Sequence, residues 1–374
     1  MIIGIPKERK PDERRVALIP DGARVLTNLG HRVLLETQAG ALSGFSDDDF
    51  KAAGAEIVPD LKSVWGQCEL LVKVKEPSPD EIGFFRPGLA VFCFLHLAVA
   101  PELTKAMVEQ KVTGLDYDLV TLDDGRLPIL EPMSVIAGKL SIQCGAYALQ
   151  ANCGGRGVLL GGAVGVQPGK IVVVGAGAAG SNAARVALGI GAEVSILDIN
   201  PQKLQPFAER IPPTKTLFST PDTLRREIAE ADLVIGSVLV PGALAPKLLT
   251  REMLTTMKKG SVIVDICIDQ GGFAESSRPT TISNPTFVED DVVHYCVTNM
   301  PALVPRTSTI ALTNSTLLWI QRIAGLGITG AVRKSPPLRR SLTSYKGNLT
   351  NAVIGRDLNM KFLTEHEVNE LLID

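Results

Sequence analysis

Short apolar runs alternate with amphipathic segments over the first 128 residues of the chain. The runs have the length of strands and the segments between them have the length of helices, an alternation typical of parallel βαβ units. The predicted strands are MIIGI, HRVLLET, LLVKV, VFCFL and KVTGLDY. The predicted helices are DGARVLTNLG, DDDFKAAG, DLKSVWGQ and PELTKAMVEQ, and the turn signals PDG, SPD and DDG fall outside the strands.

A second and clearer series of the same kind follows the glycine-rich stretch GGRGVLLGGAVGVQPGK. A helix predicted in MSVIAGKLSIQCGAYALQA precedes this stretch, and the later strands are predicted in KIVVV, EVSILD, ADLVIGSVLV, GSVIVDICIDQGG and VHYCVTNMP. After Pro305, a long helix predicted in TSTIALTNSTLLWIQRIAGLG would return to the first domain.

The pattern and the length of 374 residues predict two domains. We expect an α/β fold with two Rossmann-like, doubly wound parallel sheets and an active site in the cleft between them. Residues 1–129 plus 305–374 would form a discontinuous substrate (catalytic) domain, and residues 130–304 an inserted NAD-binding domain.

Composition and charge narrow the class of protein. The net charge is −2 and no basic stripe occurs, so neither nucleic acid nor an anionic membrane is expected as a partner. No apolar run approaches the roughly 18 residues of a membrane-spanning helix. The amino terminus places its apolar residues before its charges, the reverse of a signal peptide, so a cytoplasmic location is expected. The six cysteines show no CxxC spacing and are interpreted as reduced core residues without a metal.

A glycine fingerprint marks the expected dinucleotide site. Gly175, Gly177 and Gly180 form GxGxxG between the strand KIVVV and the helix SNAARVALGI. The first glycine would permit the tight turn, the second would let the backbone approach a pyrophosphate, and the third would allow close helix–strand packing. Asp198 ends the next strand, where a carboxylate accepts from the adenosine ribose and disfavours a 2′-phosphate, so NAD is expected over NADP. Lys203 is near enough to soften that preference but not to reverse it.

Ligands of open parallel sheets bind beyond the carboxyl ends of the strands. The residues at those ends include Ser237 to Leu239, Asp269 and Asn299, which are therefore candidate ligand-binding residues. Asp265 and Asp269 share a parity along their predicted strand, so one of them could be only a hydrogen-bonded buried acid. Asp269 is the stronger candidate because it lies nearer to the mouth of the site.

Three residues of the first domain stand out by the same logic. Lys75 ends LLVKVK, His96 follows VFCFL, and Arg15 lies in the charged segment after the first strand. Arginine binds carboxylates in a bidentate manner, lysine polarises a carbonyl, and histidine exchanges a proton near pH 7. The pattern leaves alternatives open: His96 as a core histidine, Lys75 as a solvated strand end and Arg15 as a surface charge.

A dense set of motifs, in order from residue 1 to about residue 323, resembles the family of alanine dehydrogenases and the first domain of proton-pumping nicotinamide nucleotide transhydrogenase. The motifs are GIPKE, RVAL, VKVKEP, LHLA, PMSVIAG, GGRGVLLGG, GAGAAGSNAARVALGIGA, PGALAPKLLT, GSVIVDICIDQGG, SRPTT, VVHYCVTNMP and VPRTST. Beyond about residue 325 the similarity is weak, and the tail has no functional interpretation.

The resemblance implies NAD-dependent oxidative deamination of L-alanine to pyruvate and ammonium, usually by a homohexamer. It implies that Arg15 and Lys75 bind the substrate, that His96 is the acid/base, and that Asp269 is a second acid/base or orients water. The implied cofactor-binding residues are Ser134, Gly175, Gly177, Ala178, Ala179, Gly180, Asp198, Lys203, Ser219, Val238, Leu239, Ile266, Cys267, Ile268, Arg278, Val297, Thr298, Asn299 and Met300.

The chain departs from the family pattern at several points. Val135 stands where a glutamate is usual, Tyr117-Asp118-Leu119 replaces YET, Ala302 replaces a glycine, and GGAVGV replaces GGVPGV. None of these changes removes a proposed catalytic residue. The alternatives are another NAD-dependent amino-acid dehydrogenase, such as the saccharopine-forming type, the first domain of a transhydrogenase, and a non-catalytic NAD(H)-sensing protein.

Overall fold

Two β-sheets, each with helices between its strands, organise the chain in a computed structural model that describes residues 1–210, 214–238 and 244–373. Unit 1 comprises Met1–Met133 and Val304–Asp374, and unit 2 comprises Ser134–Leu303. The assignment of substrate binding to one unit and nucleotide binding to the other stays a prediction.

The elements of the first part of unit 1 alternate as the sequence predicts. They are β1 (Ile2–Ile5), α1 (Pro20–Asn28), β2 (Arg32–Glu36), α2 (Asp47–Ala52), β3 (Glu56–Val58), α3 (Leu61–Gln67), β4 (Leu70–Lys75), β5 (Ala90–Phe94), α4 (Pro101–Glu109) and β6 (Thr113–Asp116).

The helix α5 (Leu130–Ala148) begins in unit 1 and leads into unit 2. The elements that follow it are β7 (Lys170–Val174), α6 (Ala178–Gly189), β8 (Glu193–Asp198), α7 (Pro201–Arg210), β9 (Lys215–Phe218), α8 (Pro221–Ala229), β10 (Leu233–Gly236), α9 (Arg251–Leu254), β11 (Val262–Asp265), β12 (Thr286–Glu289) and β13 (Val292–Tyr295).

The chain then returns to unit 1 through a 22-residue helix. The returning elements are α10 (Pro305–Leu326), α11 (Ile328–Lys334), α12 (Pro336–Arg340), β14 (Leu342–Tyr345), β15 (Asn348–Leu349), α13 (Ala352–Asp357) and α14 (Glu365–Ile373).

The sheet of unit 1 has the strand order β15-β14-β6-β5-β4-β1-β2-β3. The pairs that β1 to β6 form with one another are all parallel, and their order is that of a doubly wound sheet. Its middle strands β4 and β5 are buried along their whole length, as expected for strands with helices on both faces.

Unit 2 has the same winding in the order β12-β13-β11-β10-β7-β8-β9. All pairs from β13 to β9 are parallel, and the first strand, β7, is completely buried. The prediction of an α/β fold with two Rossmann-like sheets is thus confirmed.

Both sheets also have antiparallel strands at their edges. β14 and β15 pair antiparallel beside β6, and β12 pairs antiparallel with β13. These strands have two to four residues each, and β12 is only partly buried, so they lack the long apolar run by which the inner strands were found. By pairing with β6 and β13, the strands β14 and β12 cover edges that would otherwise be open.

Two other features of the described residues bear on the predictions. No helix among them combines the length and apolar character needed to cross a membrane. All six cysteines are free thiols: Cys68, Cys93, Cys267 and Cys296 are buried, and Cys144 and Cys153 are half-buried.

Candidate active site

The glycine loop of unit 2 has the three backbone properties that its spacing predicts. Gly175 lies at φ 98°, a conformation that side chains rarely adopt. A Cβ on Gly180 would lie 1.8 Å from the Gly175 carbonyl oxygen, so only glycine lets α6 pack this close to the end of β7. A Cβ on Gly177 would meet nothing within 4 Å. The space beside Gly177 is therefore empty of protein atoms, which a ligand close to the backbone requires.

The helix that follows this loop has a free amino terminus. Gly177 is the N-cap residue of α6, and no side chain caps the helix there. The first N–H groups of Ala178, Ala179 and Gly180 therefore remain available, and the helix dipole adds partial positive charge. This arrangement suits the binding of a pyrophosphate.

Asp198 ties the loop to the neighbouring strand. Its Oδ2 accepts a hydrogen bond from the backbone N–H of Ala176 at 2.7 Å, and its Oδ1 accepts one from Asn200 at 2.8 Å. The ammonium of Lys203 lies 4.0 Å from Oδ2. Each carboxylate oxygen keeps a second lone pair for a ribose hydroxyl. The lysine is close enough to moderate the charge of the carboxylate.

Gly138 is a positioning residue that the sequence analysis missed. It lies one turn after Ser134 on α5, and a Cβ there would lie 2.0 Å from the carbonyl oxygen of Ala179. α5 therefore packs directly on the first turn of α6. The signal was present in PMSVIAG, where glycine occurs inside a helical pattern.

The other predicted nucleotide residues follow successive strands of the same sheet. Because parallel neighbours end at one edge, the segments after β9, β10, β11 and β13 share that edge with the glycine loop. These segments contain Ser219, Val238, Ile266, Cys267, Ile268, Asp269, Val297, Thr298, Asn299 and Met300. Leu239 lies outside the described residues.

The side chain of Arg278 contacts the edge strand β12 of the same sheet. Its guanidinium stacks on the Phe287 ring, with Cζ 3.8 Å from the centroid, and pairs with Glu289 at 3.4 Å. Both partners belong to the edge strand β12, so its role toward a nucleotide stays a prediction.

Asp265, the last residue of β11, and Asp269, which follows the strand, differ in environment. Asp265 is fully buried and accepts hydrogen bonds from the N–H groups of Cys267 and Phe273 and from the Ser277 hydroxyl. Asp269 is exposed and accepts from the N–H of Asn299 at 3.1 Å. The structural acid is therefore Asp265. It also ends the strand earlier than predicted, because its bond to Cys267 starts a 3₁₀ turn over Ile266–Gln270.

The candidate residues of unit 1 follow the adjacent parallel strands β1, β4 and β5. Lys75 is the last residue of β4, and His96 comes two residues after β5. Arg15 lies in the long loop after β1, and two other residues of that loop reach the end of β4. Glu8 accepts from the N–H of Val74, and Lys10 pairs with Glu76 at 2.6 Å.

Lys75 is buried rather than solvated, with 8% of the residue exposed. Within the part of the chain that the structure describes, no Asp or Glu oxygen lies within 4 Å of its Nζ. A buried ammonium ion without a counter-ion is costly unless a ligand supplies the negative charge. The solvated-strand-end interpretation is therefore wrong, and the position suits a carboxylate ligand.

Arg15 is also buried, with 2% of the residue exposed, so it is not a surface charge. Its guanidinium donates two hydrogen bonds to the Glu13 carboxylate and a third to the sulfur of Met133. The planar group is thus held in one orientation by its own segment and by the start of α5.

His96 is not a core histidine. Its side chain is 34% exposed, Nδ1 lies 3.1 Å from Glu76 Oε2, and Nε2 lies 3.4 Å from Asp118 Oδ2. Its backbone lies in the left-handed region at φ 48°, an unusual state that often marks functional sites. The core interpretation instead describes His294, which is fully buried and contacts the Ser276 hydroxyl and the Val292 carbonyl.

Burial and the neighbouring charges shift the pKa values of His96 and of the carboxylates around it in opposite directions. Burial lowers the pKa of the imidazole, but the hydrogen bond to Glu76 and the charge of Asp118 outweigh it, so the pKa is raised above 6.5. Burial raises the pKa of Glu76, yet His96, Lys75 and Lys10 together hold it well below its usual range. Burial, reinforced by Asp118, raises the pKa of Asp116 to about 7.

Glu76, Asp116 and Asp118 were missed as members of this cluster. Glu76 directly follows Lys75 in VKVKEP, and Asp118 lies in the segment that departs from YET, so both were visible in the sequence. What the sequence did not show is that β4, β5 and β6 are neighbours, which brings their carboxyl ends together.

Comparisons with known proteins show the family of the chain. Residues 4–137 match the family model described as alanine dehydrogenase/PNT, N-terminal domain, and residues 141–352 match alanine dehydrogenase/PNT, C-terminal domain. The chain belongs to the alanine dehydrogenase/PNT family. The resemblance inferred from the motifs is thus confirmed.

Relatives of this alanine dehydrogenase/PNT chain match over almost their whole length. "Alanine dehydrogenase 2" of Staphylococcus aureus (strain USA300) is 46% identical over 99% of this chain and 100% of its own. "Alanine dehydrogenase" of Halomonas elongata is 46% identical over 97% of this chain and 98% of its own.

Solved structures of the family match in the same way. A structure titled L-alanine dehydrogenase is 44% identical, covers 96% of this chain and 99% of its own, and has a TM-score of 0.92. The transhydrogenase from Sinorhizobium meliloti is 26% identical, covers 94% and 99%, and has a TM-score of 0.78.

Proposed function

We propose that this chain is an NAD-dependent L-alanine dehydrogenase, which reversibly converts L-alanine to pyruvate and ammonium. The observation that carries the proposal is the unit 1 cluster. The buried ammonium of Lys75, which has no Asp or Glu oxygen of the described residues within 4 Å, lies beside a partly exposed imidazole held between Glu76 and Asp118. A transhydrogenase domain that only exchanges hydride between nucleotides would not need this cluster. The activity named for the relatives supports the same proposal.

NAD fits the residues of unit 2. The open space at Gly177, the uncapped helix α6 and the carboxylate of Asp198 offer a pyrophosphate and an adenosine ribose the contacts they need. When bound, NAD supplies the acceptor for the hydride that leaves the substrate Cα. Residues of this chain bind and orient the reactants and move the protons.

Arg15 and Lys75 bind the substrate carboxylate in this proposal. The two hydrogen bonds to Glu13 fix the plane and orientation of the Arg15 guanidinium. Lys75 adds a charge that Asp and Glu side chains of the described residues do not neutralise at close range. Orientation of this kind is worth about 7–11 kcal/mol of barrier in well-placed reactions.

His96 carries the proton in this proposal. After the Cα–H leaves with its electron pair, water adds to the iminium carbon and His96 accepts a proton from that water. The same imidazolium then protonates the amine. The C–N bond breaks, the hydroxyl proton passes to the departing ammonia, and pyruvate and ammonium form. A general acid/base in this position contributes about 10²–10⁴-fold. Asp269 is retained as a second candidate that orients the water.

A substrate comparison tests the activity. We expect the purified protein to oxidise NADH with pyruvate plus ammonium faster than with glyoxylate plus ammonium, 2-oxoglutarate plus lysine, or no keto acid. Preference for 2-oxoglutarate plus lysine would indicate the saccharopine-forming type. Tight NADH binding with no turnover in any arm would indicate a sensor.

A variant tests the role of His96. His96→Ala should lower kcat by at least about 10²-fold while the dissociation constant for NADH stays within about twofold. The exposed His366, on α14, provides the matched control as His366→Ala, for which kcat should stay unchanged. A His96→Ala enzyme within twofold of the wild-type rate would remove His96 from the mechanism.

Assembly and location belong to the same proposal. We propose a cytoplasmic homohexamer by family resemblance. Multi-angle light scattering of the purified protein measures the first property, with about six times the chain mass of 39.8 kDa expected. Fractionation of cells that produce the protein measures the second.

A further inference from the structure

His96 is flanked by a carboxylate at each ring nitrogen. Glu76 follows β4 and faces Nδ1 at 3.1 Å, while Asp118 lies in the 3₁₀ turn Tyr117–Leu119 after β6 and faces Nε2 at 3.4 Å. The Phe94 ring lies nearly parallel to the imidazole, 6.2 Å between centroids and 15° between planes. The plane of the ring and both of its polar edges are thus defined by different strands.

The two carboxylates are not equivalent. Glu76 also pairs with Lys10 at 2.6 Å and is kept ionised by the cations around it, so it only accepts hydrogen bonds. Nδ1 must therefore carry a hydrogen and donate it to Glu76 in both protonation states of the ring. Nε2 is then the nitrogen that gains and loses the proton used in the reaction.

We propose, on the basis of the function proposed above, that Asp118 is a positioning residue that keeps the proton on Nε2 of His96 until the substrate takes it. At 3.4 Å the contact is longer than a tight hydrogen bond, so the proton is stabilised without being trapped. Glu76 has the complementary task of fixing which nitrogen exchanges the proton.

The charged groups that face the His96 ring determine whether its protonated form is favoured or disfavoured. Lys75 disfavours the imidazolium ion, whereas Glu76 and Asp118 favour it. Asp116 lies behind Asp118 and accepts from its backbone N–H at 3.1 Å. Removal of the Asp118 charge takes away one of the two carboxylates that favour the imidazolium ion, so His96 should lose its proton at a lower pH.

The pH dependence of the reaction from pyruvate tests this inference. In Asp118→Asn the alkaline limb of kcat/KM for pyruvate should move to lower pH by about 1 unit. Above the limb this shift is about a tenfold loss of kcat/KM, and well below it the rate should approach that of the wild type. Asp118→Glu keeps the charge and should keep the limb in place.

A matched control separates this effect from a general change of surface charge. Glu102→Gln removes an exposed carboxylate in the first turn of α4, six residues after His96. Its limb should coincide with that of the wild type. A limb in Asp118→Asn that also coincides with the wild-type limb would overturn the proposal, as would an equal shift in Asp118→Glu.

A spectroscopic measurement keeps the test independent of turnover. The chain has four histidines, so the imidazole ¹⁵N signals of His96 are assigned by comparison with His96→Asn. In the wild-type protein we expect Nδ1 to stay protonated throughout and Nε2 to titrate, with a lower midpoint in Asp118→Asn. A neutral ring with its hydrogen on Nε2, or equal midpoints in the two proteins, would contradict the proposal.

Failure of the proposed function is distinguishable from failure of this inference. Wild-type protein that does not reduce pyruvate with ammonium refutes the function. Active wild-type protein with an unmoved limb in Asp118→Asn refutes the role of Asp118 alone.

Discussion

Arg15 and Glu13 form a doubly hydrogen-bonded ion pair inside unit 1. The Nε–H of Arg15 donates to Oε1 at 2.7 Å, a terminal N–H donates to Oε2 at 2.6 Å, and the side chains are 1% and 0% exposed. The residue expected to grip a substrate carboxylate is thus itself held by a protein carboxylate two positions earlier in the chain.

Removal of the Glu13 charge should therefore reduce both stability and substrate affinity. Breaking a buried ion pair costs about 3–5 kcal/mol, because it leaves an uncompensated charge. Glu13→Gln should lower the free energy of unfolding by about that amount and raise the KM for pyruvate. Denaturant titration and steady-state kinetics measure the two effects. Arg14→Gln, one residue away and exposed, should change neither, and a Glu13→Gln protein of wild-type stability would contradict this account.

Alanine substitutions at two glycines of the nucleotide loop should affect different properties, one of them NADH binding and the other the stability of unit 2. Gly177→Ala meets no atom within 4 Å, so the thermal midpoint should hold while the dissociation constant for NADH rises about tenfold or more. Gly180→Ala should instead destabilise unit 2, because its Cβ would lie 1.8 Å from a carbonyl oxygen. Gly189→Ala, at the other end of α6 and also in open space, is the control and should leave NADH binding intact. Equal NADH affinity in Gly177→Ala and Gly189→Ala would count against the pyrophosphate site.

Asp198 should control the choice between NADH and NADPH. Asp198→Asn keeps an acceptor for the Ala176 N–H but removes the charge that would repel a 2′-phosphate. The ratio of kcat/KM for NADPH to that for NADH should rise about tenfold. Adding Lys203→Ala should reverse part of the rise, since the lysine lies 4.0 Å from the carboxylate and would attract the phosphate. If the ratio of kcat/KM for NADPH to that for NADH is unchanged in both variants, Asp198 does not discriminate between the two nucleotides.

Glu8 should make stability depend on pH. Burial raises the pKa of Glu8 to about 7, above its ordinary value of 4.5, although Lys73 opposes the shift. Between these two values the folded state binds the proton and the unfolded state does not, so stability falls as the pH rises from 4.5 to 7. Asp116, with a pKa raised to about 7, contributes with the same sign.

Glu8→Gln tests this contribution, since glutamine can still accept from the Val74 N–H. The thermal midpoint of the variant, relative to wild type, should rise as the pH increases from 5 to 7.5. The exposed Glu109, on α4, provides the control as Glu109→Gln, whose difference from wild type should not vary with pH. A flat difference for Glu8→Gln would contradict the raised pKa.

Local sequence was sufficient wherever one segment contains the whole physical cause. The glycine loop was predictable because each glycine answers a constraint imposed within a few residues: the turn at Gly175, the open space at Gly177 and the helix contact at Gly180. The inner strands were predictable for the same reason, since burial on both faces demands a continuous apolar run. Strand parity alone does not distinguish Asp265 from Asp269, because it cannot show where a strand ends, and only the expected position near the mouth of the site favours Asp269.

The sequence by itself determined the α/β class, the nucleotide loop and the candidates Arg15, Lys75 and His96. Only the tertiary structure decided that Arg15 and Lys75 are buried, that Glu76 and Asp118 flank His96, and that short antiparallel strands close the sheet edges. The contacts of His96 join residues 20 or more positions apart that follow different strands, and the burial of Arg15 and Lys75 depends on the whole unit. Such distances are set by strand order, which periodicity along one segment does not encode.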